Sequence, residues 1–369
     1  MKKTLSIFLV LILVLAVFVG CAQQTETEPE PENGEVGEAT SEIAKIGLGH
    51  ITSIAKSKDL GVDEEGNEVL PVGQVDTVIA AVAFDQDGRV VKVAIDNAQT
   101  KVEFNKDLTL KSDPKAEYKT KVELGDEYGM RKASSIDKEW YQQAEALGDW
   151  MVGKTVDEIK AMKVKQRDEA HPAVPDVPEL TSLVTITVED YIAAVEEAYN
   201  NAIDVEAGAE TLGLGTKISI AKSTGLGTDA EGKEVLPLAQ VDTVIVATAF
   251  DGDGKVAGTI IDNAQTKIQF DKEGKVTSDR NAEYKTKVEL GDEYGMIKAS
   301  SINKEWYQQA QALGDWMVGK TVDEIKAMKV KQRDEAHPAV PDVPELTSLV
   351  TITVQDYIAA VEEAYANAK

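Results

Sequence analysis

Polar and apolar positions alternate with the period of a strand from Val75 to Asp85. The alternation stops at Asp87-Gly88 and resumes from Arg89 to Gln99, a pattern that predicts a hairpin with a tight turn. The period then lengthens. Trp140, Ala144, Leu147 and Met151 fall at helical spacing within residues 137–151, and Gly153 ends that run. Thr155 and Glu158 form a capping box ahead of Ile159 and Met162, which predicts a second helix. Residues 163–181, rich in proline and charge, read as a loop. A last helix is expected from Val188 to Asn201, with Thr187 as its cap and Asp190 three residues on. Strands first and helices later predict an α+β fold, an antiparallel sheet covered by helices on one face.

The same pattern occurs twice. From Leu48 onward each residue pairs, without a gap, with the one 166 positions later, so that His171 matches His337 and Asp96 matches Asp262. Between Tyr118 and Tyr199 the copies differ only at Arg131/Ile297, Asp137/Asn303, Glu145/Gln311 and Glu189/Gln355, whereas Leu48 to Glu117 has drifted further. Solenoid repeats run about 20–50 residues, so a period this long is that of a whole domain with its own core. The expected domains are 43–204 and 209–369, joined through Ala207-Gly208-Ala209.

The N-terminal segment reads differently. Lys2 and Lys3 precede an apolar run of 13 residues, Ile7 to Val19, and Gly20 stands before Cys21. A membrane-spanning helix needs about 20 apolar residues, so residues 1–20 are expected to be a cleaved signal peptide. Phe18-Val19-Gly20-Cys21 resembles the lipobox of bacterial lipoproteins, which implies a lipid anchor on Cys21 and a place on the outer face of the cytoplasmic membrane. Residues 21–42 carry repeated glutamates, prolines and glycines and no basic residue, and read as a disordered acidic linker. As the sole cysteine, Cys21 leaves no internal disulfide or thiolate metal cluster. A net charge of −26 argues against nucleic-acid binding.

Several chemistries lack their residues. Asp251-Gly-Asp-Gly-Lys begins like a calcium loop but has Lys255 at the fifth position and Asp262, not a glutamate, at the twelfth, so a hairpin turn is expected. His50 has no counterpart in the second copy, where Thr216 stands, and His171 and His337 each precede a proline without a second histidine at ligand spacing; no metal site is expected. No Gly-x-Ser-x-Gly elbow occurs.

What remains is a cluster of hydroxyls before the last helix, Glu179-Leu-Thr-Ser-Leu-Val-Thr-Ile-Thr187, repeated from Glu345 to Thr353. A helix start offers free amides and a positive dipole end suited to phosphate. This segment resembles the motif of the FMN-binding domains of flavin-carrying lipoproteins and of the flavin subunit of sodium-pumping NADH-quinone reductases, Asp-x-x-Ser-Gly-Ala-Thr followed by a helix. Glu179 and Glu345 match its acid, Ser182 and Ser348 its serine, and Thr185 and Thr351 its final threonine, which in the family carries FMN through a phosphoester. Leu183-Val184 and Leu349-Val350 stand where the family has Gly-Ala. Gln99-Thr100 and Gln265-Thr266 look like the ends of the family's paired strands. The loop Glu123 to Lys132 and its twin from Glu289 resemble a clostridial branch of such lipoproteins, and within them Tyr128 and Tyr294 are candidate ring contacts.

The resemblance implies a non-enzymatic electron carrier that meets a flavin transferase and a membrane redox donor. The alternative is a cofactor-free binding or structural lipoprotein contacting an envelope or extracellular partner, with the Leu-Val departure as its support.

Overall fold

The computed structural model describes residues 42–369; the leader, Cys21 and nearly all of the acidic linker lie outside the described residues. The predicted hairpin forms. In the first copy β1 (Lys45–Ser53), β2 (Val72–Phe84) and β3 (Val90–Glu103) are antiparallel neighbours. The turn between β2 and β3 is closed by Asp85, whose Oδ1 accepts the amides of Asp87 and Arg89, and by Gly88 at φ 77°. Helices follow: α1 (Lys121–Leu124), α2 (Trp140–Met151), α3 (Val156–Lys160) and α4 (Glu189–Asn200). A two-residue strand β4 (Ile203–Asp204) pairs with β1 and leads into the second copy. There β5 (Ala209–Ser219), β6 (Leu238–Asp251) and β7 (Val256–Gln269) repeat the sheet, and α5 (Lys287–Leu290), α6 (Trp306–Met317), α7 (Val322–Lys326) and α8 (Gln355–Ala366) repeat the helices. Asp251 closes its hairpin as Asp85 does, accepting the amides of Asp253 and Lys255. The fold is therefore mixed α+β with antiparallel sheets.

Local signals placed most boundaries. Thr155 and Glu158 make the expected reciprocal cap on α3. Helix α2 starts at Trp140 and not at Asp137, because Asp137 is left-handed at φ 54° and Glu139 forms the capping box with Gln142. The cap expected for α4 is absent. Val188 is the cap residue and no side chain bonds the helix start; Thr187 Oγ1 is buried without a partner. The Val188 amide donates to the Ala173 carbonyl at 3.0 Å, which fixes the direction in which the chain approaches the helix.

The helices cover one face of each sheet, and the other face is covered too. Along β2, Val78, Ala80, Val82 and Phe84 point into a cluster with Trp140, Leu147, Met151, Val195 and Ala198. The intervening Ile79, Ala81 and Ala83 belong to a second cluster, shared with Leu212, Leu214, Ile245, Ala247 and Ala249 of the other copy. A further shared cluster holds Val75, Val102 and Phe104 against Val241, Ile268 and Phe270, with the Phe104 and Phe270 rings 5.1 Å apart. The two sheets thus pack face to face, helices outside, and residues 42–369 fall in one compact unit. Alanine at many shared positions lets the sheets approach closely.

Candidate functional site

Two of the residues singled out from sequence come together on the helix-covered face of the first sheet. Gln99, on β3, donates through Nε2 to Asp76 at 2.6 Å, and the Tyr128 hydroxyl lies 3.5 Å from Gln99 Oε1. Tyr128 ends the single 3-10 turn Gly125–Tyr128 that follows α1. The first residue of α1, Lys121, is buried and brings its ammonium over the rings of Tyr128 and Trp140 at 5.0 and 5.2 Å. Burial pushes this amine down to about 8, against the through-space pull of Asp76. Two residues before Gln99, on the same face, Asn97 keeps its side-chain oxygen buried and without a partner. The second copy repeats the arrangement: Gln265 on Asp242 at 2.6 Å, Lys287 over Tyr294 and Trp306 at 5.2 and 5.1 Å, and an unpartnered Asn263 oxygen. Each copy therefore holds a half-dry cluster of a softened cation, flat rings and a free amide acceptor.

Other predicted residues lie elsewhere. Thr100 and Thr266 are neighbours of Gln99 and Gln265 on their strands, so pleating turns them to the opposite face, toward the sheet-to-sheet core; both are buried. Glu179 and Ser182, like Glu345 and Ser348, are exposed on a turn. On the same segment Leu180 and Val184 point inward and belong to the core, with Leu183 packed against it. This is the use the chain makes of the bulk that stands in place of Gly-Ala. Thr185 is half-buried; its amide and hydroxyl both donate to Gln143 Oε1 at 2.8 and 3.3 Å, and Arg167 donates to its carbonyl at 2.9 Å. Thr351 is held identically by Gln309 and Arg333. Arg167 is in turn bonded to Asp168 and His171, so His171 braces this loop.

A third constellation centres on His50, for which no ligand role is expected from the sequence. His50 of β1 shares a rung with Ile79 of β2 and Asp96 of β3, and that rung faces the other sheet. Its Nε2–H donates across the interface to Asp262 Oδ2 at 2.9 Å. Its Nδ1 faces Glu197 Oε1 of α4 at 3.2 Å and Glu289 Oε2 of α5 at 3.7 Å. Burial alone would lower the imidazole, but Asp262, Glu197 and Glu289 outweigh it and push His50 up to about 9. The approximate symmetry of the copies puts Thr216 where His50 stands and Asp96 where Asp262 stands. No imidazole answers Asp96; a cleft of about 520 Å³ opens there, lined by Asp96, Thr216, Tyr141, Glu363 and Lys369.

Burial pushes Asp96 up to about 6, held from rising further by Thr120 and the amides of Asn97 and Val122. A carboxyl whose folded value lies above its unfolded 3.8 penalises folding above pH 6, and the penalty vanishes as pH falls below 3.8. A rise of about two units corresponds to about 3 kcal/mol. Asp96→Asn, which keeps an acceptor for the two amides, is therefore expected to stabilise the protein by up to about 3 kcal/mol at pH 8 and by little at pH 4. Urea unfolding of both proteins at the two pH values measures the difference; equal effects at both would show that Asp96 carries no such penalty.

No family model, curated protein or solved structure matches the chain. No helix among the described residues is long and apolar enough to cross a membrane.

Proposed function

We propose that the chain is a lipid-anchored extracytoplasmic flavin carrier, held at Cys21, that binds one FMN in each FMN-binding-like copy without a phosphoester link. The observation that carries this reading is the duplicated cluster in which Lys121 or Lys287 lies over two aromatic rings beside an unpartnered buried amide oxygen. Bound flavin would supply one- and two-electron transfer. Asn97 and Gln99 offer amide groups for the polar edge of a planar ring, Tyr128 a flat face, and Lys121 a positive charge that favours an electron-rich ligand.

Thr185 and Thr351 are assigned a structural part. Each hydroxyl already donates to a buried glutamine, and the residue before each is core. The second reading, a cofactor-free binding lipoprotein, draws on that same burial of Val184 and Val350.

Equilibrium titration with FMN, followed by flavin fluorescence, tests the proposal. Wild type is expected to take up two FMN per chain, Lys121→Met one at unchanged strength, and the Lys121→Met/Lys287→Met double variant none. A protein that takes up no FMN supports the cofactor-free reading. An intact mass raised by flavin when a flavin transferase is co-expressed, and lost in Thr185→Ala/Thr351→Ala, would overturn the non-covalent assignment.

A further inference from the structure

Independently of any flavin, we infer that His50, Glu197 and Glu289 form a binding site for a divalent transition-metal cation, zinc above others, that ties the first copy to the second. The three residues each offer a ligand atom, and these atoms lie within 4.8 Å of one another. Ligands about 2.0–2.2 Å from a tetrahedral zinc ion stand about 3.3–3.6 Å from each other. The His50 Nδ1 distances of 3.2 Å to Glu197 and 3.7 Å to Glu289 already bracket that range.

The ligands are also oriented in the way metal ligands are. Asp262 takes the other ring nitrogen of His50, fixing the imidazole so that Nδ1 points at the two glutamates. Asp262 is itself anchored by the Thr286 hydroxyl at 2.7 Å and the Asn263 amide at 2.6 Å. Glu197 is aligned by the His50 amide, which donates to its second oxygen at 2.9 Å, and Glu289 by the Thr286 amide at 2.7 Å. Three carboxylates surround a single imidazole, so even with the ring protonated the group is short of positive charge, and a dication corrects the deficit. Entry is provided for. A cleft of about 530 Å³, walled by Glu196, Asn200, Glu283 and Tyr284, reaches His50, Glu197 and Glu289 from solvent. An imidazole with two carboxylates and room for a water ligand suits zinc and its neighbours better than calcium or magnesium, which prefer oxygen donors alone.

The twin position is built otherwise. Thr216 replaces the imidazole, and Lys217 places its ammonium 2.6 Å from Glu363, the counterpart of Glu197. One such cation per chain is therefore expected.

Cobalt(II) is the probe, added to the whole chain freed of metal with chelator and read by its visible absorption. Wild type is expected to bind one cobalt with the intense bands of tetrahedral coordination, and zinc to displace it. Glu289→Gln keeps an acceptor for Thr286 and so tests a ligand without removing the histidine; it is expected to weaken binding at least tenfold while the metal-free melting temperature stays within a few degrees. Glu196→Gln, on the cleft wall, is expected to bind as wild type does. Loss of the bands in His50→Thr completes the assignment. The inference is overturned if Glu289→Gln binds as tightly as wild type, or if wild type shows no cobalt bands beyond those of His50→Thr.

Discussion

Gly49→Ala is expected to destabilise the protein by more than about 3 kcal/mol, the upper end of ordinary overpacking, and to leave little folded protein at 37 °C. The reason is the contact between β1 and α4. A Cβ on Gly49 would stand 1.9 Å from the Ala194 carbonyl oxygen and 2.7 Å from the Ala198 amide, and one on Gly47 would stand 1.8 Å from the Ala198 oxygen. These are backbone atoms of α4, so no side chain can swing aside; the helix would have to retreat. Retreat would open the cluster in which Ala194, Val195 and Ala198 meet Val78, Ala80 and Val82. It would also draw Glu197 away from the His50 amide. The second copy makes the same approach, Gly215 against Ala360 at 1.9 Å, so Gly215→Ala is expected to cost as much. Gly61→Ala serves as the control, since nothing lies within 4 Å of the added carbon; its effect is expected to stay within about 0.5 kcal/mol. Urea unfolding of the three variants measures the ranking, and a Gly49→Ala protein as stable as the control would contradict the tight contact.

What the sequence showed and what it hid divide along the range of the interactions. Hairpin turns, the capping box at Thr155 and the period of α2 depend on residues within five positions of each other, and they were legible. The start of α2 was not, because Asp137 and its counterpart Asn303 tolerate the left-handed region but equally suit a helix N-terminus, and the pattern alone does not choose between the two. The double burial of β2 was missed: reading residues 75–85 as alternating overlooks Val78-Ile-Ala-Ala-Val-Ala-Phe84, an unbroken apolar run, as in strands covered on both faces. Nothing in it named the second cover, which is the same run 166 residues on. Thr187 failed as a cap because the approach to α4 is set by Ala173, remote from the local pattern. His50 was dismissed for lacking a counterpart, yet that absence is the signal. The later halves of the copies are nearly identical and supply Glu289 and Glu123 alike; the drifted early halves put an imidazole against one and a hydroxyl and lysine near the other. Its partner Glu197, 147 residues away, is brought by the packing of α4 on β1, and Asp262, 212 residues away, by the face-to-face packing of the sheets.

That packing sets the second large expectation. His50→Thr, which gives the first copy the residue of the second, is expected to cost about 3–5 kcal/mol in chelator at pH 8, the cost of leaving one member of a buried ion pair alone. Asp262 would keep its bonds from Thr286, Asn263 and Val288 but lose the cation facing it across the interface, while Glu197 and Glu289 would face each other without the imidazole between them. Adding Asp262→Asn is expected to restore at least half of the loss, because it removes the most deeply buried of the carboxylates left without the imidazole. The four proteins, wild type, two single variants and the double, form a cycle whose coupling energy is measured by urea unfolding. A coupling below about 1 kcal/mol, the usual value of an exposed pair, would mean that water reaches His50 and that the sheets are held together by their alanine-rich core alone.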